Sequence, residues 1–177
     1  AKMFNADGNR PITEDELLTM VEEAETEGGI DEGQSELIQN AIEFNDLEAW
    51  DVLTPRVDIK AVEIDEDEEE VAKLFLETGF SRLPVYEDDL DNIIGVLNQK
   101  DFHNFIKGGK ASMSEYVKPV IFVAGSMRIA QLLKKLQTVK THIAIIVDEY
   151  GGTYGLVTME DIIEELVGEI YDEHDAA

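Results

Sequence analysis

A hydroxyl and a carboxylate three residues apart, where a strand gives way to a helix, are the side chains of this sequence best placed to do chemistry. They lie in Gly155-Leu156-Val157-Thr158-Met159-Glu160-Asp161. The strand pattern ends at Thr158 and helical spacing begins just after it. Thr158 therefore takes the N-cap and Asp161 falls in the first turn, beside backbone N–H groups that have no partner within the helix. Such a place suits a ribose diol, since the carboxylate can accept from both hydroxyls. It also suits a phosphate, which a helix N-terminus favours. The same spacing is an ordinary capping box, in which both residues serve only the helix.

A second copy of the motif bears on that choice. Gly95-Val96-Leu97-Asn98-Gln99-Lys100-Asp101 aligns with residues 155–161 at a constant offset of 60. Upstream, Leu83-Pro84-Val85-Tyr86 matches Ala144-Ile145-Ile146-Val147 with a one-residue gap. The helical pairs Val71-x-x-Leu74-Phe75 and Ile129-x-x-Leu132-Leu133 match at an offset of 58. Two copies of a β-α-β-β-α unit describe the chain most simply.

The elements that must position these residues follow from periodicity. Strand patterns cover 57–64, Arg82–Tyr86, Ile93–Asn98, Val120–Val123, Ile143–Val147 and Tyr154–Thr158. Helical spacing covers Glu68–Thr78, Lys100–Ile106, Met127–Gln137 and Glu160–Val167, with Gly108-Gly109 closing the second of these. An acidic turn, Glu87–Asn92, and a glycine turn, Asp148–Gly152, join the paired strands. Ahead of the repeats, Thr13-x-x-Glu16 opens one helix and Asp31 a second, with Gly28-Gly29 between them. Their apolar stripes (Leu17, Leu18, Val21, Ala24; Leu37, Ile38, Ala41, Ile42) predict that they lie on the core. The expected division is a lead-in with linker helices over 1–53, one repeat over 54–112 and a second over 113–177.

Composition narrows the function. The 177 residues are 44% hydrophobic and 31% charged, a globular balance. There is no cysteine, so disulfides, thiolate metal sites and cysteine nucleophiles are excluded. No apolar run approaches the ~20 residues that span a bilayer, and a soluble piece of chain is expected. Forty Asp and Glu against fourteen Lys and Arg give a net charge of −26. A surface this acidic repels nucleic acid, so no nucleic-acid partner is expected. A nucleotide ligand would be held by local donors against that field, and bound Mg²⁺ would relieve it.

Other signals point away from catalysis. Asp65–Glu70 lacks the glycine an EF-hand loop needs at its sixth position, and reads as a solvated helix start. Gly108-Gly109-Lys110-Ala111 is not a phosphate-binding P-loop. Neither a Gly-x-Ser-x-Gly elbow nor a paired His-Glu metalloprotease motif occurs. His103 and His174 have no partner pattern, His142 stands at a strand end, and Trp50 reads as a packing residue. No enzyme, and no metal site built from protein groups alone, is expected.

The repeated strand–turn–helix motif resembles that of cystathionine-β-synthase (CBS) domains over roughly Leu53 to Gly168. A narrower resemblance rests on Leu53-Thr54-Pro55-Arg56, Ser81-Arg82-Leu83-Pro84-Val85-Tyr86, residues 142–152 with their Asp-Glu-Tyr-Gly-Gly turn, Leu156–Asp161 and Val167-Gly168-Glu169-Ile170. It is to the CorC, or haemolysin C-like, family of magnesium and cobalt efflux proteins. The resemblance implies an α+β fold of two tandem CBS repeats in a pseudo-two-fold pair, a Bateman module, preceded by two short helices. Members usually carry a transmembrane domain before the module and a small domain after it. The chain is therefore expected to be a regulatory fragment from the cytoplasmic side of the plasma membrane, associating as a homodimer and reporting to a membrane domain.

The resemblance also implies a cleft for an adenine nucleotide, ATP or AMP, perhaps with Mg²⁺. Thr54 and Ile59 would flank the adenine, and Leu156 would pack on it. Phe80 and Ser81 would contact base and ribose. Thr158 and Asp161 would bind phosphate and ribose. Arg82 is the principal phosphate donor implied, with Arg56 and His142 as helpers. The symmetry-related cleft would use Asn98, Asp101, Val120, Thr141 and His142. It departs from the family pattern at Asn98, where Thr or Ser is expected, so one well-formed cleft is expected. The rival expectation is a structural dimerisation module with no ligand.

Overall fold

Capping chemistry sets the first two elements of the computed structural model, which describes residues 11–109 and 112–168. Thr13 caps α1 (Glu14–Thr26), its hydroxyl accepting from the Glu16 N–H at 3.2 Å. Asp31 and Gln34 form a reciprocal capping box on α2 (Glu32–Phe44), at 2.8 and 3.0 Å. The two helices form a hairpin beside the core rather than part of it. α1 buries no residue, and α2 buries only Ser35 and Phe44. The expectation that both stripes lie on the core is thus corrected. The stripes are narrow and the remaining positions mostly acidic, so the helices cover each other only in part. The hairpin is held through α2, where the Asn40 amide donates to the Leu166 carbonyl at 3.3 Å.

A one-turn helix, α3 (Ala49–Val52), leads into the repeats. Ala49 is fully buried and its N–H donates to the Met127 carbonyl at 2.8 Å. Trp50 packs as expected but stays half exposed. Its ring lies over Gly125, where a Cβ would come within 2.4 Å of it, and edge-on to Tyr154.

The first repeat forms a three-stranded sheet in the order β2 (Val62–Glu63), β3 (Arg82–Glu87), β4 (Asp89–Asn98), with α4 (Glu68–Thr78) and α5 (Gln99–Gly108). The second contains β5 (Ile121–Ala124), α6 (Ile129–Val139), β6 (Ile143–Val147), β7 (Thr153–Thr158) and α7 (Met159–Val167). Its sheet runs β1-β7-β6-β5, and β1 (Thr54–Pro55) comes from the first repeat. The single strand expected over 57–64 is corrected. Residues Arg56–Asp58 form a 3-10 turn and only Val62–Glu63 pair. The chain leaves the second repeat's sheet at Pro55 and must cross to its own, so no continuous ladder can form.

The exchange is reciprocal. Thr54 and Pro55 register with Leu156 and Gly155, while Val96 and Lys118 exchange two backbone hydrogen bonds of 2.8 Å. Both contacts fall on the repeated glycines. A Cβ on Gly155 would stand 2.5 Å from the Thr54 carbonyl oxygen, and one on Gly95 2.4 Å from that of Lys118. Each motif glycine is therefore the gap through which the other repeat's lead-in approaches. One apolar cluster fills each repeat, around Leu83, Leu97 and Phe102 and around Leu132, Ile146 and Ile162. A third, with Ile93, Val96, Ile143, Ile145 and Leu156, seals the seam between the sheets.

The hairpin turns are clamped at the outer end of that seam. The Asp91 carboxylate accepts from the Arg56 guanidinium and from the Thr153 N–H, the latter at 2.9 Å. The Thr153 hydroxyl donates to the Leu90 carbonyl at 2.7 Å. The Arg56 hydrogen bond, followed by that from Thr153, holds the Asp91 carboxyl below its ordinary value. A depressed carboxyl stabilises the fold above its unfolded-state pKa and loses that contribution as pH falls through the folded value. Asp91→Asn is therefore expected to lower the urea midpoint more at pH 7 than below about pH 4. Chemical denaturation at the two pH values checks this; an equal effect at both would remove Asp91 as a source of acid sensitivity.

Candidate functional site

The reciprocal exchange leaves a cleft of about 390 Å³ on the seam, on the side of Thr158 and Asp161. All eight of the principal residues expected from the sequence line it: Thr54, Ile59, Phe80, Ser81, Arg82, Leu156, Thr158 and Asp161. They come from opposite ends of the chain. The β1–β7 pairing sets Thr54 beside Leu156. Gly79 ends α4 in the left-handed conformation, φ 69°, and turns the chain so that Phe80 and Ser81 reach the cleft. The Ser81 carbonyl accepts from the Gln99 N–H at 2.8 Å, and its pseudo-symmetric counterpart, the His142 carbonyl, accepts from Met159 at 2.8 Å.

Thr158 and Asp161 are fixed by each other. The Thr158 hydroxyl oxygen accepts from the Asp161 N–H, and an Asp161 carboxylate oxygen accepts from the Thr158 N–H, both at 3.1 Å. The ordinary capping box is therefore present. It does not exhaust either group: the hydroxyl keeps its proton to donate, and the carboxylate keeps acceptor capacity. The cap holds both side chains in place at no added ordering cost to a ligand.

The rest of the lining divides into an apolar floor and a charged rim. Ile59, Phe80, Pro84, Ile143 and Leu156 form the apolar part. Phe80 stands half exposed. The charged part comprises Arg82, Lys60, Asp58, Glu160 and Asp161. Arg82 Nη1 stands 3.3 Å from Glu160 Oε1, and His142 Nδ1 stands 3.6 Å from the same oxygen. His142 thus reaches the site through Glu160 rather than by lining it. Arg56 is elsewhere, engaged with Asp91 and the Thr153 carbonyl in the hairpin clamp.

The symmetry-related positions are built differently. The Asn98 amide donates to the Asp101 carboxylate at 3.4 Å, and Asn98 makes no side-chain cap to the α5 backbone. The Thr141 hydroxyl is buried and donates to the Pro119 carbonyl at 3.3 Å. Val120 packs into the seam cluster. Thr141 and Val120 are thus engaged in structure, and the Asn98 side chain does not cap α5 as the Thr158 hydroxyl caps α7.

Asp58, Lys60 and Glu160 line the cleft without having been expected there. Asp58 ends the 3-10 turn and Lys60 lies two residues past it, both in the segment the alternating pattern presents as a strand. Glu160 lies inside the motif, and its position after the N-cap was the available signal. Among the described residues no three His, Asp or Glu side chains converge to hold a metal ion.

The CBS-domain family profile matches residues 49–108 and 113–168, the two halves that exchange lead-ins across the cleft. The chain belongs to the CBS-domain family. This CBS pair falls with the CorC and haemolysin C-like proteins. It is 39% identical over 165 residues to UPF0053 protein YugS of Bacillus subtilis, covering 93% of this chain and 38% of that protein. It is 40% identical over 141 residues to a hemolysin C homolog of Rickettsia rickettsii, covering 78% of this chain and 47% of the relative. The chain thus spans less than half the length of these curated relatives. Among solved structures, it is 39% identical to the CBS domain of a bacterial CNNM/CorC family Mg²⁺ transporter. The TM-score is 0.81, with 91% of this chain and 99% of that one covered. The complex of such a domain with ATP matches at 39% identity and TM-score 0.70, over 77% of this chain and 99% of that one. A CBS-domain pair with bound AMP from Klebsiella pneumoniae matches at 29% and 0.61, over 70% of this chain and all of that one. No helix among the described residues is long and apolar enough to cross a membrane.

Proposed function

We propose that this CBS pair binds an adenine nucleotide, ATP or AMP, in the cleft and acts as the regulatory module of a CorC-like magnesium and cobalt transport protein. The observation that carries the proposal is the convergence in one cleft of the Thr158–Asp161 cap, the apolar wall of Leu156, Ile59 and Phe80, and Arg82. A flat base fits between apolar walls, a diol fits the free acceptors of Asp161, and phosphates fit the Thr158 hydroxyl and Arg82. The ATP- and AMP-bound relatives support the same reading.

The module works by linkage rather than catalysis. A ligand touching both repeats favours one arrangement of them by its differential affinity. The α1–α2 hairpin, held to α7, would carry that change towards a membrane domain from the cytoplasmic side. A homodimer of modules would make the response shared. Mg²⁺ fits here as a partner of the nucleotide; when bound it would offset phosphate charge. Melting temperature followed against ATP, ADP and AMP tests the reading. A saturable rise is expected with at least one of them. No rise with any of them would favour a structural dimerisation module instead.

Glu160 sets a further expectation. In this structure its carboxylate occupies Arg82, so a phosphate must displace it and then lie beside it. Glu160→Gln is expected to tighten ATP binding by roughly 3- to 10-fold, the scale of one charge-assisted contact at a partly exposed site. It should also reduce the dependence of affinity on Mg²⁺. Calorimetric titration of both forms with and without Mg²⁺ checks this; weaker binding by the variant would show that Glu160 assists the nucleotide.

A further inference from the structure

Among the described residues, the α1–α2 hairpin combines an uncovered apolar groove with a strongly acidic surround. The groove is lined by Leu17 of α1 and by Leu37, Ile38, Ala41 and Ile42 of α2, with Glu14 and Asn45 at one end. Leu37 and Ile38 are 45% and 40% exposed, and Met20 on α1 is 52% exposed. On α2 these residues fall at the spacing that makes a continuous stripe. Contiguous apolar surface rimmed by polar groups marks an interaction site. Around it, residues 11–55 contain fourteen Asp or Glu and no Lys, Arg or His. No other stretch of the chain this long lacks a cation.

Charge selects the occupant. A second copy of this hairpin, whose span from Glu14 to Phe44 holds eleven of those carboxylates, would bring like charge against like. An anionic lipid surface would be repelled in the same way. A neutral apolar helix would cover the groove and leave the charge around it uncompensated. We propose that the groove between α1 and α2 is a docking site for a basic amphipathic helix of a partner polypeptide. Its apolar face would lie on Leu17, Leu37, Ile38 and Ile42, and its Lys or Arg would face the flanking carboxylates. Two 13-residue helices offer a groove about 20 Å long, enough for roughly four turns of such a helix. The groove mouth shows the same need for a cation. The Glu14 carboxyl is raised above its ordinary value by its hydrogen bond to Asp46 and by the charges of Asp46, Asp15 and Glu43. Arg128, 3.7 Å from Asp46, offsets part of this crowding from the second repeat. The inference is independent of what the cleft binds.

The test uses the full chain and two labelled synthetic 18-residue peptides of identical Leu and Lys content. One has its leucines on a single helical face, and the other has them scattered. Fluorescence anisotropy in about 0.15 M salt is expected to show at least tenfold tighter binding of the amphipathic peptide. The double substitution Leu37→Glu with Ile38→Glu is expected to weaken that binding at least tenfold while leaving the scattered peptide unaffected or tighter bound. The added carboxylates give the variant its discrimination, because attraction by charge alone would strengthen. Equal affinity of wild type for the two peptides overturns the proposal without any variant. So does tighter binding of the amphipathic peptide by the double variant. Concentration-dependent self-association in sedimentation that the double substitution abolishes would assign the groove to a second copy and overturn it too.

Discussion

Asp161→Ala is expected to abolish the nucleotide-dependent rise in melting temperature and to lower nucleotide affinity by about 10- to 100-fold. The carboxylate is expected to accept from both ribose hydroxyls, and hydrogen bonds to a charged group contribute about 1.5–3 kcal/mol. Asp161 has a second duty that the experiment must separate. Its carboxylate accepts from the Thr158 N–H at 3.1 Å in the capping box of α7. Removing it therefore lowers the stability of the free protein by about 1 kcal/mol as well. The separation comes from Gln34→Ala, which removes the matching capping contact on α2 far from the cleft. That variant should lose comparable stability and keep the full nucleotide response. If Asp161→Ala keeps it too, the Thr158–Asp161 pair is only a helix cap, and the ribose assignment falls.

The largest effect on the fold is expected from Gly155→Ala. The added Cβ would stand 2.5 Å from the Thr54 carbonyl oxygen and 2.9 Å from Leu53 Cδ1. The first of these is backbone, so β1 has to move off β7 for the methyl group to fit. Overpacking of this kind costs about 3 kcal/mol, and the melting temperature should fall by roughly 6–12 °C. Nucleotide affinity should fall with it, because Thr54 and Leu156 line the cleft from the two strands being separated. Gly95→Ala should cost a similar amount, since its Cβ would meet the Lys118 carbonyl at 2.4 Å. Its effect on the Thr158-side cleft should be smaller. Gly33→Ala, within α2 and 3.4 Å from only an Asp31 side-chain oxygen, should be neutral or stabilising. Thermal denaturation of the three variants checks the ranking; a Gly155→Ala protein as stable as wild type would mean that the lead-in strand does not constrain the pair.

Much of this architecture was legible in the chain because the repeat is written in residues of fixed spacing. The constant offset of 60 between the two Gly-x-x-(Thr/Asn)-x-x-Asp motifs announced two similar units, and helical and strand periodicities located most elements within a few residues. The cap chemistry of Thr158 and Asp161 was equally local: a hydroxyl, a carboxylate and the first backbone N–H groups lie within one helical turn. The difference between the two helix caps was local as well, since Asn98 stands where Thr158 supplies a hydroxyl.

Three features were not local and arose from contacts between distant segments. Residues 57–64 alternate like a strand, yet Thr54–Pro55 pair with β7 and the chain must then cross between sheets, which breaks the ladder into a 3-10 turn. Arg56, placed by sequence beside Thr54, is turned away into the Asp91 clamp, and Lys60 enters the cleft from the far side of that turn. The apolar stripes of α1 and α2 were visible, but not what they face, because periodicity records which side of a helix is apolar and carries nothing about the surface opposite. Residue order along the chain set the repeat, the caps and the chemical character of each motif. The exchange of lead-ins between repeats decided the cleft, since it joins side chains about a hundred residues apart through contacts that no local pattern encodes.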